Sequence, residues 1–283
     1  MKNHTFEDLK GKVCVITGGA GVIGASMVEV LAQAGVKTAI LDLREEPAAD
    51  LASRIRETYG VESEGFSANV LDKESLIKTR EKVIKKFGKV DILINGAGGN
   101  SPQATTKEEQ INSNTGNLLE DTFFGLKIEG FQKVFDLNFI GTLLPTMVFA
   151  EDMVREGKGA VLNISSMNSY KPLTKIPAYS AAKAAINNFT QWLAVHFAKT
   201  GVRVNAIAPG FFLTNQNRFL LIDENSGELT ERGNKIIANT PMGKFGEPED
   251  LQGALLFLIS DISVFITGIV IPVDGGYSAF GGV

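Results

Sequence analysis

Tyr179 and Lys183 lie one helical turn apart in the alanine-rich run AYSAAKAAINNF, and residues at that spacing stack on one face of a helix. A free tyrosine gives up its proton only near pH ~10 and is a poor acid–base catalyst at neutrality. A lysine ammonium held beside the phenol favours the phenolate and brings its proton affinity toward the working range. Ser166 stands just past the end of the short apolar run Ala160–Ile164, where its hydroxyl could hydrogen-bond the same substrate oxygen. The chemistry would be proton exchange with an alcohol or carbonyl oxygen. Taken alone, the three residues are better explained by an ordinary amphipathic helix, because a Tyr and a Lys at this spacing meet often by chance.

The elements that must position them read clearly. Ala160–Ile164 is β-branched and apolar, a buried strand. Pro172 and Pro177 punctuate the polar stretch after it, and Pro177 suits the start of a helix that runs to about Thr200. Near the N-terminus, Lys12–Thr17 is a second buried strand, followed by Gly18-Gly19-Ala20-Gly21-Val22-Ile23-Gly24 and a helix to about Ala34. Strand, glycine turn and helix in that order form a phosphate cradle, with backbone able to approach closely and helix N–H groups unpaired. Val36–Leu41 is the next strand; Asp42 closes it and Leu43 follows. A carboxylate there accepts from ribose hydroxyls and repels a 2′-phosphate, so NAD is favoured over NADP, although Arg44 stands nearby.

Further strands are expected at Ser63–Asn69, Val90–Ile94, Val202–Ala208 and Gly268–Val273. Helices are expected from Pro47 to about Tyr59, from a cap at Asp72 to Phe87, over Gly130–Arg155 and over Pro248–Ile259. Strand–helix alternation throughout predicts one α/β domain, a doubly wound parallel sheet with helices on both faces and its ligand at the C-terminal strand ends.

Ser166, Tyr179 and Lys183 resemble the active site of the short-chain dehydrogenase/reductase family, and further motifs of that family recur in order over nearly the whole chain. The glycine turn is similar to its T-G-x-x-x-G-x-G, with the penultimate glycine displaced to Gly21 and Val22 in its place. Asn69-Val70 stands where the family has Asp-Val at the adenine. Asn95-Gly96-Ala97-Gly98 resembles N-N-A-G, a segment that supports the sheet and touches the cofactor. Asn138 matches the active-site asparagine, which bends its helix and holds a water that links the lysine to solvent. Pro209-Gly210-Phe211-Phe212-Leu213-Thr214 resembles P-G-x-x-x-T, whose contacts at the nicotinamide end would be a backbone group near Phe212 and the Thr214 hydroxyl. The resemblance implies a Rossmann-type sheet of seven strands in the order 3-2-1-4-5-6-7, Tyr179 and Lys183 as cofactor contacts as well as catalysts, and a homotetramer.

Composition narrows the partners. The 283 residues are 44% hydrophobic and 21% charged, with net charge −4. The absence of a basic block argues against nucleic acid. The N-terminus has no apolar signal core, and Gly253–Val273, apolar but broken by Asp261, Gly268 and Pro272, reads as a helix and a buried strand. No membrane partner is expected, and a cytoplasmic location is the simplest expectation. A single cysteine, Cys14, excludes an internal disulfide, and with only His4 and His196 no metal site is expected.

Two stretches depart from the plain pattern: a polar insert at about 100–127 and a lobe at about 215–247 that would cover the substrate. Surfaces expected to meet the substrate are polar: Asn100–Gln103, Met167, Asn168, Ser169, Lys171, Lys175 and Gln216-Asn217-Arg218. They suit a hydroxylated molecule, and Arg218 or a lysine could pair with a carboxylate. The runs NGAGGN, SSMNSYKPLTKIPAY and PGFFLTNQNRF, with the insert, resemble a sugar-acid branch of the family that interconverts D-mannonate and D-fructuronate. A gluconate 5-dehydrogenase-like or other polyol enzyme stays open, as does a non-catalytic NAD-binding regulator.

Overall fold

The computed structural model describes residues 5–112, 119–214, 217–224 and 226–282. His4, Gln216, the 113–118 part of the expected insert and residues 215 and 225 of the expected lobe lie outside them. Seven parallel strands form one sheet in the order β3-β2-β1-β4-β5-β6-β7: β1 (Val13–Thr17), β2 (Lys37–Asp42), β3 (Ser63–Ser67), β4 (Ile92–Asn95), β5 (Gly159–Ile164), β6 (Val202–Pro209) and β7 (Val270–Val273). The helices are α1 (Val22–Gln33), α2 (Glu45–Tyr59), α3 (Lys73–Phe87), α4 (Ile128–Phe135), α5 (Gly141–Glu156), α6 (Pro177–Phe197), α7 (Arg218–Leu221), α8 (Glu231–Ala238) and α9 (Gln252–Ile259). Boundaries read from the sequence fall within a residue or two of most of these.

Side-chain alternation along β1 divides the core. Cys14 and Ile16 pack with Met27 and Leu31 of α1, Leu51 and Ile55 of α2, and Leu255 and Leu258 of α9. Val15 points the other way, among Leu76 and Val83 of α3, Phe149 and Met153 of α5, and Leu193 of α6. Strands covered on both faces must be apolar at every position, and all of β1 is buried. At the edge the same logic relaxes. β7, expected to be buried, is half-exposed because it has a neighbour on one side only.

Thr17 pairs with Leu41 on β2 and with Asn95 on β4, so three strands end level where the sheet order reverses. Chains that leave such a point in opposite directions open a crevice. Asp72 caps α3, its carboxylate accepting from the Glu74 and Ser75 N–H groups at 2.9 and 3.2 Å, a cap worth about 1 kcal/mol. Helices α4 and α5 run into one another through a π-helical turn, Asp136–Ile140. Asn138 accounts for it: its Nδ2 donates to Val134 O at 2.8 Å, competing for a carbonyl of the helical ladder. The joined run Ile128–Glu156 is long and apolar enough to cross a membrane by composition, but it is half-buried and packs its apolar side on the sheet.

Candidate active site

Ser166, Tyr179 and Lys183 converge at the C-terminal end of β5. Two serines follow that strand with separate jobs. Ser165 Oγ donates to Asn187 Oδ1 at 2.5 Å and to Lys183 O at 3.3 Å, fastening the strand end to α6. Ser166, 7% exposed, accepts from Asn168 N–H at 3.2 Å, and its hydroxyl is near enough to the Tyr179 phenol to oppose the rise in that group's pKa. Pro177 opens α6, and from its first turns Tyr179 and Lys183 face the same way, with Lys183 Nζ 5.6 Å from the Tyr179 ring centroid.

Lys183 is 4% exposed and donates to Ile164 O at 2.7 Å. Burial lowers its pKa to about 7, since a charge without water is disfavoured. Tyr179 moves the other way: burial raises it and only the Ser166 hydrogen bond opposes. The expected pull of an ammonium on the phenol is thus not the governing effect here, because burial beside the half-buried phenol weakens the lysine's own charge.

Asn138 is completely buried. Its Oδ1 accepts from Gly99 N–H at 3.3 Å and its Nδ2 donates to Gly99 O at 2.7 Å, a two-point clamp on the loop after β4. Gly98 fills the space between the asparagine and the lysine: a Cβ there would lie 2.8 Å from Asn138 Oδ1 and 3.2 Å from Lys183 Nζ. A side chain at 98 would block the junction of catalytic end and cleft.

That cleft, of about 730 Å³, runs along the strand ends and is lined by Gly18, Gly21, Val22, Ile23, Gly24, Asp42, Leu43, Asn69, Val70, Ala97, Gly98, Gly210, Phe212 and Thr214, all expected at the cofactor. Gly18 has φ +64°, and its missing Cβ would meet Ala97 Cα at 2.9 Å; at Gly24 a Cβ would lie 2.4 Å from Gly18 O. Gly21 is in extended backbone and caps α1, so the displaced glycine keeps the turn. The Val22, Ile23 and Gly24 N–H groups, at the start of α1, have no backbone acceptor among the described residues, the arrangement that receives an anion. Asp42 Oδ2 accepts from Ala20 N–H at 3.3 Å and Oδ1 from Leu43 N–H at 2.8 Å, which aims the carboxylate at the turn. These features fit a dinucleotide.

Five expected cofactor residues are not in the lining of that cleft: Tyr179 and Lys183 of α6, and Gly19, Asn95 and Pro209. Gly19 does not line the cleft; it makes room for Ile16 and Ile40, whose methyls would meet its Cβ at 3.0 and 2.8 Å. Asn95 points beneath the sheet, donating to Thr146 Oγ1 at 2.9 Å and Asn163 Oδ1 at 2.8 Å, so its side chain is a buried tie between β4, β5 and α5. Pro209 ends β6 opposite Val273 and stays out of the cleft. Asn69 does line it, but its Oδ1 already accepts from Leu71 N–H at 3.0 Å, which leaves one lone pair for an adenine amine.

The sequence reading missed Lys133 of α4, Leu137 of the π-helical turn after it and Leu71 as cleft residues; at helical spacing, with Asn138 one residue on from Leu137, the first two were recoverable. It also took Asn217 for a substrate contact. Asn217 Oδ1 accepts from Thr214 N–H at 2.8 Å and its Nδ2 donates to Phe212 O at 2.8 Å, locking the loop that carries both. Of the expected substrate residues, Met167 and Asn168 are buried in the turn after Ser166, and Asn168 Oδ1 has no partner among the described residues. Asn100 is exposed, its Nδ2 donating to Thr105 Oγ1 at 2.9 Å. Arg218 is exposed on α7.

The family model described as short chain dehydrogenase matches residues 12–225. An uncharacterized oxidoreductase of Haemophilus influenzae is 50% identical over 286 residues, covering 99% of this chain and 97% of that protein. The uncharacterized oxidoreductase UxuB of Bacillus subtilis is 49% identical over 278 residues, 98% of each. A crystal structure from Haemophilus influenza with bound NAD, provisionally named a D-mannonate oxidoreductase, superposes with a TM-score of 0.90 at 50% identity, covering 98% of each chain.

Proposed function

The chain belongs to the short-chain dehydrogenase family, and we propose that within it the chain is an NAD-dependent oxidoreductase interconverting the alcohol and ketone of a sugar acid, D-mannonate and D-fructuronate before others. The observation that carries this is the Ser166–Tyr179–Lys183 group, with Ser166 and Lys183 buried and Tyr179 half-buried, set beside Gly98 at a glycine cleft that has a carboxylate at Asp42. When bound, the nicotinamide supplies or accepts hydride. The amides of Val22 to Gly24 would hold its pyrophosphate, and Asp42 its adenosine ribose.

The chain's own residues move the proton. Tyr179 donates from its hydroxyl to the substrate oxygen in reduction and takes the proton back in oxidation. Ser166 Oγ, beside the phenol, orients that oxygen. Lys183 Nζ, whose proton burial loosens, exchanges a proton beside the phenol, and Asn138 holds the loop through which that proton leaves. The NAD-bound relative supports the cofactor and its provisional name supports the branch; the polar, amide-rich surroundings of Ser166 support a hydroxylated substrate. Cytoplasmic location and a homotetramer belong to the same proposal. Exposed Met147 on α5 with Trp192 and Val195 on α6 gives a second copy an apolar face to cover.

The deciding experiment follows NADH consumption with D-fructuronate, 5-keto-D-gluconate and a simple ketose. Selective oxidation with fructuronate establishes reaction and branch. Turnover of another keto-sugar alone keeps the chemistry and replaces the substrate. NADH binding without turnover across the panel brings forward the regulator.

A further inference from the structure

Ala104 belongs to the polar stretch between β4 and α4, yet it is fully buried. It forms, with Val134 and Phe131 of α4 and Ala178 and Tyr179 of α6, a small apolar cluster apart from the sheet core. The stretch is fastened around this contact from several sides. Lys127 N–H donates to Gln103 O at 3.0 Å, closing its far end onto its near end. Gly130 meets Gln103 so closely that a Cβ would lie 2.7 Å from Gln103 Cβ. Thr106 N–H donates to Lys175 O at 2.9 Å, in the loop that leads into α6. Farther out, Lys107 pairs with Asp121 at 2.7 Å, and Glu109 with Lys235 of α8 at 3.4 Å.

We propose that Ala104 is a positioning residue for Tyr179, and that residues 100–112 with 119–127 form a fixed wall that keeps the half-buried catalytic phenol oriented and covers one side of it from water. The proposal rests on Tyr179 being the acid–base group. A close-packed neighbour fixes a ring because any gap forfeits contacts that the ring then seeks by moving, and small displacements of a reacting group cost rate steeply. Its shielding is consistent with burial being the leading influence on Tyr179. The ionisable groups around that ring are Lys183 of its own helix, Lys175 in the preceding loop, and exposed Lys127, Glu129 and Lys133 on or beside α4; none figures among the causes of the Tyr179 shift.

The test compares Ala104→Gly, which opens the contact, and Ala104→Val, which crowds it, in the full-length enzyme with the best substrate of the panel above. NADH binding, read by fluorescence, should equal wild type in both, because Ala104 does not line the cofactor cleft. In both, kcat should fall about tenfold with little change in KM. In Ala104→Gly the limb on which alcohol oxidation rises with pH should move to lower pH, since water reaching the phenol relieves the burial that raises it. Should Ala104→Gly fail to bind NADH, Ala104→Val decides by kcat alone. Variants that bind NADH and keep kcat and pH limb within about twofold of wild type overturn the proposal. Turnover surviving Tyr179→Phe would instead overturn the acid–base reading beneath it, so the two failures are distinguishable.

Discussion

On the nucleotide side, the walls of the cleft are made of main chain. Gly18 and Gly24 are glycines because their neighbours leave no room for a Cβ, and the free N–H groups belong to the first turn of α1. On the side proposed for the substrate, the walls are side chains on short or irregular segments: the turn after Ser166, the stretch around Ala104, and the short helices α7 and α8. Main-chain recognition demands particular residues at particular spacings, so it tolerates few substitutions. Side-chain walls can be refilled with other groups while the catalytic end stays as it is, which is how one fold serves many alcohols.

The sharpest way to break this contrast is at the point where both sides meet. Tyr179→Phe should lower kcat by about a thousandfold while NADH binding, measured by fluorescence titration, stays near wild type. A parallel loss of both would mean that the phenol is part of the nucleotide wall. Gly24→Ala should do the opposite. Its Cβ would fall 2.4 Å from Gly18 O, so the turn must open, and NADH affinity should drop tenfold or more, about 1.4 kcal/mol. Asp42→Ala tests one residue of the same wall more gently: NAD should weaken more than NADP, since a 2′-phosphate no longer meets a carboxylate. Unchanged preference would remove Asp42 from the site.

Lys183→Met sharpens the comparison through stability. Burial lowers the lysine from 10.5 to about 7, so between those values the unfolded chain binds a proton that the folded one does not, and wild-type stability rises with pH. Below about 7 the folded state carries the whole cost of a buried charge; above 10.5 it carries none. Methionine removes that cost, so the variant should be inactive yet melt higher than wild type near pH ~6, with the gain shrinking toward pH ~10. A gain that does not depend on pH would mean that Lys183 is not desolvated in solution.

The unequal construction also explains what could be read from the sequence. Gly18, Gly24 and Asp42 were legible because a strand, a glycine turn, a helix and a second strand tip leave a direct mark on residue type, whereas Gly98, Tyr179 and Lys183 stood out only through the ordered set of motifs that the family resemblance supplied. The sheet order was legible through resemblance, and the strands through their apolar runs. Gly19, Asn95 and Pro209 misled because a motif carries packing and binding residues side by side, and only the direction of each side chain separates them. Ala104 left no signal: an alanine in a run of Ser, Gln, Thr and Lys looks like loop until Val134, Phe131 and Tyr179 are seen around it.

The smallest expected effect lies at the outer edge of the substrate wall. Lys235 of α8 reaches Glu109 at 3.4 Å and Glu231 at 3.2 Å, and all three side chains are largely exposed. Exposed pairs of this kind gain little over their hydrated partners and are screened by salt. Lys235→Met should therefore leave Tm within about 2 °C of wild type and alter KM by less than about twofold, with the difference vanishing at high salt. A large rise in KM at unchanged kcat would mean that this pair, rather than the packing around Ala104, sets how the polar stretch stands against α8, and the substrate wall would then be held from its rim instead of its base.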